Sequence, residues 1–224
     1  AISGMPLFDN FTIMFGTAGT GGFAVKNSSC AGYTEVQRNI TAIFMILFGV
    51  NFNFYYFLTF GKSIKEALKM EEVRTYIGII LSSIVVIMLN ARGCFTSVKD
   101  AFEHALFQVA SIITTTGYAT CDFDKWPVMS KTVLLMLMLI GACAGSTGGG
   151  FKVSRLIVMM KTYRSELAHF IHPRLVRNIH MDGKIVKSET VNGIKVYLIT
   201  YVIVFLSSFF LISIDNFDVE TNFS

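Results

Sequence analysis

Ile113-Thr114-Thr115-Thr116-Gly117-Tyr118-Ala119 ends a mostly apolar helical run, Ala101 to Ile112, and gives way to a polar, aromatic turn, Thr120 to Pro127. An ordinary helix end asks only for a Gly or Asn cap; it has no use for three threonines. A cation filter does, because backbone carbonyls must face inward in register and replace the ion's water shell. Glycine supplies backbone conformations that side chains forbid, and the aromatic ring wedges the strand from outside. Alone, the stretch reads equally as a glycine-capped core helix.

A second copy decides between the two. Gly16-Thr17-Ala18-Gly19-Thr20-Gly21-Gly22-Phe23-Ala24 follows the apolar run Phe11 to Phe15. Setting Thr20-Gly21-Gly22-Phe23-Ala24 on Thr115-Thr116-Gly117-Tyr118-Ala119 places Gly22 on Gly117 and Phe23 on Tyr118. Each copy leads through a polar segment into a long apolar helix. Repeats of helix, loop and helix are how pores are built about an axis. On this reading the backbone of Thr20, Gly21, Gly22, Phe23, Thr115, Thr116, Gly117 and Tyr118 binds a cation, and the two loops must lie close together.

The composition agrees. The chain is 53% hydrophobic and only 15% charged, where a soluble domain carries nearer a quarter charged residues. The fold class expected is an all-α membrane protein. Cys30, Cys94, Cys121 and Cys143 lack metal-site spacing; Cys143 is placed at membrane depth and the others outside, with no pairing supported. His104, His169, His172 and His180 fall in surface segments without ligand spacing, so no catalytic residue is assigned and an enzyme is not expected. A secondary transporter with discontinuous helices would want buried charges in its spans; Asn39–Phe60 carries none, and Ile194–Ile214 has only Lys195, at its very start. A non-conducting membrane scaffold is the other alternative.

In chain order, Pro6 to Phe15 is expected as a short helix. Asn39 to Phe60 is a span of about 22 residues, long enough for a bilayer, with Asn51 and Asn53 in interhelical hydrogen bonds. A charged connector covers 61–74, and Tyr76 to Leu89 spans again. Thr96 or Ser97 caps the helix that runs into the second loop, with Asp100 in its first turn. Met129 to Ile140 begins another span, which breaks at Gly141-Ala142-Cys143-Ala144-Gly145-Ser146-Thr147-Gly148-Gly149-Gly150. Counting about 1.5 Å per residue puts this break about 16 Å deep, directly beneath the two loops. It is no phosphate-binding loop, since Phe151 intervenes before Lys152. Phe151 to Glu166 continues as a basic helix, Asp182-Gly183 marks a hairpin, and Gly193 to Ile214 is the last span. The connectors at 61–74 and 152–195 hold 13 of the 19 Lys and Arg, which puts them in the cytoplasm and the loops outside.

These features together resemble the Trk/Ktr/HKT superfamily of cation transporters, in its bacterial potassium-uptake branch. Thr20-Gly21-Gly22-Phe23, Thr114-Thr115-Thr116-Gly117-Tyr118, the small-residue run 141–150 with Lys152 after it, and the hairpin at Asp182-Gly183 carry the likeness. It implies helix–pore loop–helix repeats, potassium-channel-like, with a broken inner helix and a small cytoplasmic β-hairpin. Residues 1–60 would be the second repeat, 61–73 a cytoplasmic connector, 74–166 the third repeat, 167–192 the hairpin connector and 193–224 the start of the fourth. The chain then reads as a piece of a longer protein. By the same resemblance Gly141 to Gly150 is an intramembrane gate, K+ is the transported ion and its only metal site is the filter, and no organic cofactor is held. The partners implied are the lipid bilayer of the bacterial inner membrane, a second copy in a homodimer, and a cytoplasmic nucleotide-binding regulatory subunit of TrkA/KtrA type. No nucleic acid is expected.

Overall fold

A computed structural model describes residues 4–60, 69–172 and 178–215. The chain divides into two compact units, Ala1–Ser154 and Arg155–Ser224.

The first unit is built around the helix that runs into the threonine stretch. Its helices are α1 (Leu7–Ala18), α2 (Glu35–Phe48), α3 (Phe52–Phe60), α4 (Glu71–Asn90), α5 (Val98–Ile113) and α6 (Val128–Ile140). Ser97 caps α5, its hydroxyl accepting the Asp100 N–H at 3.1 Å, and the acid in the first turn suits the positive end of the helix dipole. Beyond that polar turn, Phe107 to Ser111 are buried without a break, because α2, α4 and α6 all pack on α5. Arg38 of α2 reaches the buried Glu103 of α5, with its Nε 2.7 Å from the carboxylate.

α2 starts with a reciprocal capping box between Thr34 and Gln37. The single span expected over Asn39–Phe60 is instead two helices, α2 and α3, bent by 88°. The reason is local. Gly49 caps α2 at its C-terminal end, and the Asn51 side chain accepts the Asn53 N–H at 2.9 Å, the bond by which an asparagine starts a new helix.

α4 buries Glu72, Val73, Tyr76, Ile80, Ile84 and Ile87, a stripe at helical spacing, while Leu81, Val85 and Leu89 are exposed. It is 20 residues long and apolar enough to cross a membrane. The expected span Tyr76–Leu89 is thus the inner part of a longer helix.

α6 stops at Gly141, whose φ is +72°, and 141–150 is non-helical as expected. The chain then returns to its point of departure. The N–H groups of Phe151, Lys152 and Val153 donate to Leu139 O, Ile140 O and Ala142 O at 3.0, 2.8 and 3.0 Å. These bonds satisfy carbonyls that a helix end leaves open, so the segment leaves and re-enters at one place.

α7 (Val153–Ile171) begins at the edge of the first unit and continues into the second. There β1 (His180–Met181) pairs antiparallel with β2 (Lys184–Ile185). Asp182 and Gly183 both have positive φ, 50° and 75°, the turn that fits the twist of a two-residue hairpin. The hairpin is present where the sequence places it, with shorter strands. α8 (Ser188–Ile212), at 25 residues, is the second helix long and apolar enough to cross a membrane, and it begins earlier than the expected Gly193. Within this unit the Arg155 guanidinium lies 3.9 Å from the centre of the Tyr197 ring. Most of the 61–73 connector and the tail after Asp215 lie outside the described residues.

Candidate functional site

The two loops have the same backbone. Positive φ falls on Thr20 (51°) and Gly22 (72°) in one, and on Thr115 (56°) and Gly117 (89°) in the other. Gly19, Thr20 and Gly21 donate to Phe15 O, Thr17 O and Gly16 O; Thr114, Thr115 and Thr116 donate to Ala110 O, Ile112 O and Ser111 O. Residue for residue this is the alignment read from the sequence. An equal pattern of conformations and bonds requires equal local geometry, which the differing side chains alone do not impose.

The loops also meet. A Cβ on Gly22 would overlap the Thr116 carbonyl and lie 3.5 Å from Gly117 Cα, so main chain rests on main chain. Tyr118 is 1% exposed; its hydroxyl donates toward Phe23 O at 3.3 Å and sits against Gly16, where a methyl would overlap it. The expected aromatic wedge is realised by Tyr118, whereas its counterpart Phe23 is 81% exposed. Gly117 is exposed, with nothing within 4 Å of a built Cβ. The second loop is braced from behind by Ser111 Oγ donating to Tyr118 O at 2.6 Å and by the Thr114 and Thr116 hydroxyls, 2.7 Å apart. The Cys30 N–H donates to Ala119 O at 2.9 Å and ties the exit of the second loop to the turn after the first.

The small-residue segment lies directly against both loops. Thr20 Oγ1 donates to Thr147 O at 3.1 Å, and Thr115 Oγ1 accepts the Gly149 N–H at 2.6 Å. Thr20 and Thr115 are the equivalent residues of the two copies. A Cβ on Gly148 would come within 3.0 Å of Thr114 O, so only glycine brings the chains this close. Ser146 turns inward, donating to Cys143 O at 2.6 Å, and Thr147 contributes its carbonyl. Ala142 and Cys143 are fully buried. The limb from 143 to 145 packs on the bend between α2 and α3: Cys143 N–H donates to Gly49 O at 3.0 Å, and Phe52 N–H to Gly145 O at 3.2 Å. On the other limb Lys152 Nζ donates to Gly148 O.

Two side chains carry more than the sequence suggested. Glu72, which the sequence places in the charged connector at 61–74, is 2% exposed and bonded into this region. The signal was its register, one helical turn before Tyr76 and two before Ile80 on the buried face of α4. His104, read as a surface residue, is half-buried, stacked on Phe95 with centroids 5.3 Å apart and within 2.9 Å of Thr120 Oγ1. Asn51 makes the expected interhelical bond, to Glu72; Asn53 supplies a backbone N–H instead. All four cysteines are free, with Cys30 and Cys143 buried.

Comparison with known proteins bears on this arrangement. The family profile described as TrkH, cation transport protein, matches residues 2–223. The chain is 32% identical over 209 residues to the Trk system potassium uptake protein TrkH of Salmonella typhimurium, covering 92% of this chain and 43% of that protein. It is 34% identical over 210 residues to TrkH of Vibrio parahaemolyticus, with the same coverage of 92% and 43%. It is 28% identical over 228 residues to the Trk system potassium uptake protein TrkG of Escherichia coli, covering 100% of the chain and 46% of that protein. The crystal structure of the potassium transporter TrkH from Vibrio parahaemolyticus matches with a TM-score of 0.91 at 31% identity, over 100% of this chain and 49% of that one. The chain thus spans less than half the length of these relatives.

Proposed function

The chain belongs to the TrkH family of cation transport proteins, and from that footing we propose that it forms part of a potassium-conducting pore in the bacterial inner membrane. The observation that carries this reading is the meeting of two equivalent loops, Gly22 against Thr116 and Gly117. Positive φ at alternate residues turns successive carbonyls toward one side, the arrangement that coordinates a bare cation. Thr20, Gly21, Gly22 and Phe23 with Thr115, Thr116, Gly117 and Tyr118 contribute part of the filter, and K+ is its only metal.

Segment 141–150 is the gate. It lies against the base of both loops through Thr147 and Gly149, where it obstructs the path. Glycine backbone and a few hydrogen bonds make its displacement inexpensive. The exposed apolar faces of α4 and α8 suit contact with lipid. The repeat boundaries expected from sequence, a second copy of the chain and a cytoplasmic nucleotide-binding regulator complete the reading.

The test is potassium flux through the full-length transporter in proteoliposomes. Deleting Ala144 to Thr147 should raise it, with selectivity over sodium retained. Flux at the unmodified level would remove the gate, and loss of potassium selectivity on that deletion alone would mean these residues belong to the filter.

A further inference from the structure

Glu72 lies in the first turn of α4. One carboxylate oxygen accepts the Ala144 N–H at 2.5 Å and the Ser154 N–H at 3.2 Å; the other accepts Asn51 Nδ2 at 2.9 Å. The three donors come from three interruptions in the helices: the small-residue segment, the start of α7, and the bend between α2 and α3. All three are neutral amides. A carboxylate removed from water is costly unless its oxygens are bonded, and bonds to an ionised acceptor are the strong ones. Asn51 joins the grip, since a Cβ on Gly145 would lie 3.3 Å from its Oδ1.

We propose that Glu72 is a positioning residue for the gate: its carboxylate latches the 143–145 limb of the segment and ties it to α4. Through this bond, movement at the start of α4 reaches the gate directly, and α4 follows immediately on the charged connector. Release at Glu72 frees the 143–145 limb, while Lys152 still holds Gly148. The latch rests on reading segment 141–150 as the gate, so its test needs an arm that does not depend on ion flow.

Cys143, fully buried beside Ala144, supplies that arm. The full-length transporter, with its other cysteines changed to serine, is reacted with a small methanethiosulfonate reagent, and potassium flux is measured in parallel. E72Q removes the charge and turns an amide donor toward Asn51. N51D keeps the oxygen that bonds the Asn53 N–H and sets a second anion against Glu72. Each single change should raise the Cys143 labelling rate on the order of tenfold, the scale of one charge-assisted hydrogen bond, and should raise basal flux. A variant that merely misfolds loses flux. In the double variant E72Q/N51D the introduced amide donates to the introduced carboxylate while the bonds from Ala144 and Ser154 remain, so labelling and flux should return toward the parent. If E72Q fails to assemble, N51D carries the same test.

Parent-level labelling in both single variants overturns the latch, and so does raised labelling that the double variant leaves unrescued. Raised and rescued labelling with unchanged flux upholds the latch and overturns the gate.

Discussion

Gly21 and Gly22 are neighbours with opposite demands, and replacing each by alanine tests whether the two loops act as one structure. Gly21 has no positive φ, and a methyl there would meet nothing closer than Phe23 Cδ2, at 3.5 Å; the expected cost of G21A is within about 0.5 kcal/mol. Gly117 is at φ +89° with open space around it, so G117A carries only the left-handed penalty, about 1–2 kcal/mol. Gly22 carries that penalty at φ +72°, and its methyl overlaps the Thr116 carbonyl, a main-chain atom that cannot swing aside. The built methyl carbon lies 2.0 Å from the Thr116 carbonyl oxygen, so restoring ordinary contact would part the loops by on the order of 1 Å, and overpacking of this kind adds about 1–3 kcal/mol. The predicted order of damage is therefore G21A, then G117A, then G22A. Rubidium uptake into proteoliposomes containing the full-length transporter reads activity, and potassium-dependent thermal protection reads occupancy of the proposed filter. G22A indistinguishable from G21A in both would refute the contact between the loops as a functional element, and G117A more harmful than G22A would reverse the steric argument.

Other substitutions probe the surroundings. T115V leaves the exposed Gly149 N–H without its protein acceptor, a loss of about 0.5–1.5 kcal/mol, so basal potassium flux should rise; flux at the parent level would count against this bond as a restraint. R38M strands the buried Glu103 carboxylate and should cost about 3–5 kcal/mol of stability, read as a lowered thermal midpoint, with R38M/E103Q recovering most of it. Y118F removes long hydrogen bonds to Phe23 O and Ile13 O and should cost about 1 kcal/mol, whereas Y118A should cost about 3–5 kcal/mol in the same measurement.

The parts legible in the sequence were those fixed by local chemistry. A glycine two residues after a threonine, twice, located both loops and their alignment; ten small residues located the break after α6; Asp182-Gly183 located the hairpin. The bend at Gly49 to Asn51 does not show in hydropathy, because Asn39 to Phe60 is uncharged and mainly apolar, and hydropathy does not register a change of direction. Its signal was a glycine two residues before an asparagine able to cap α3. Glu72 was missed for a different reason. Its carboxylate is tolerable in the interior only because Ala144, Ser154 and Asn51, distant in sequence, deliver N–H groups to it. The exposure of Phe23 beside the burial of Tyr118 was equally invisible, since the two rings occupy the same place in their repeats and differ only in what stands next to them.

The bend between α2 and α3 faces the break after α6 through paired main-chain bonds, and a methyl on Gly49 would overlap Tyr76 Oη and come within 2.8 Å of Thr114 Cγ2. Two turns of main chain are pressed together here and closed over by the buried side chains of Tyr76 and Thr114, with no room for one more carbon. A larger residue at position 49 therefore calls for a smaller one at 76 or 114 in the same chain.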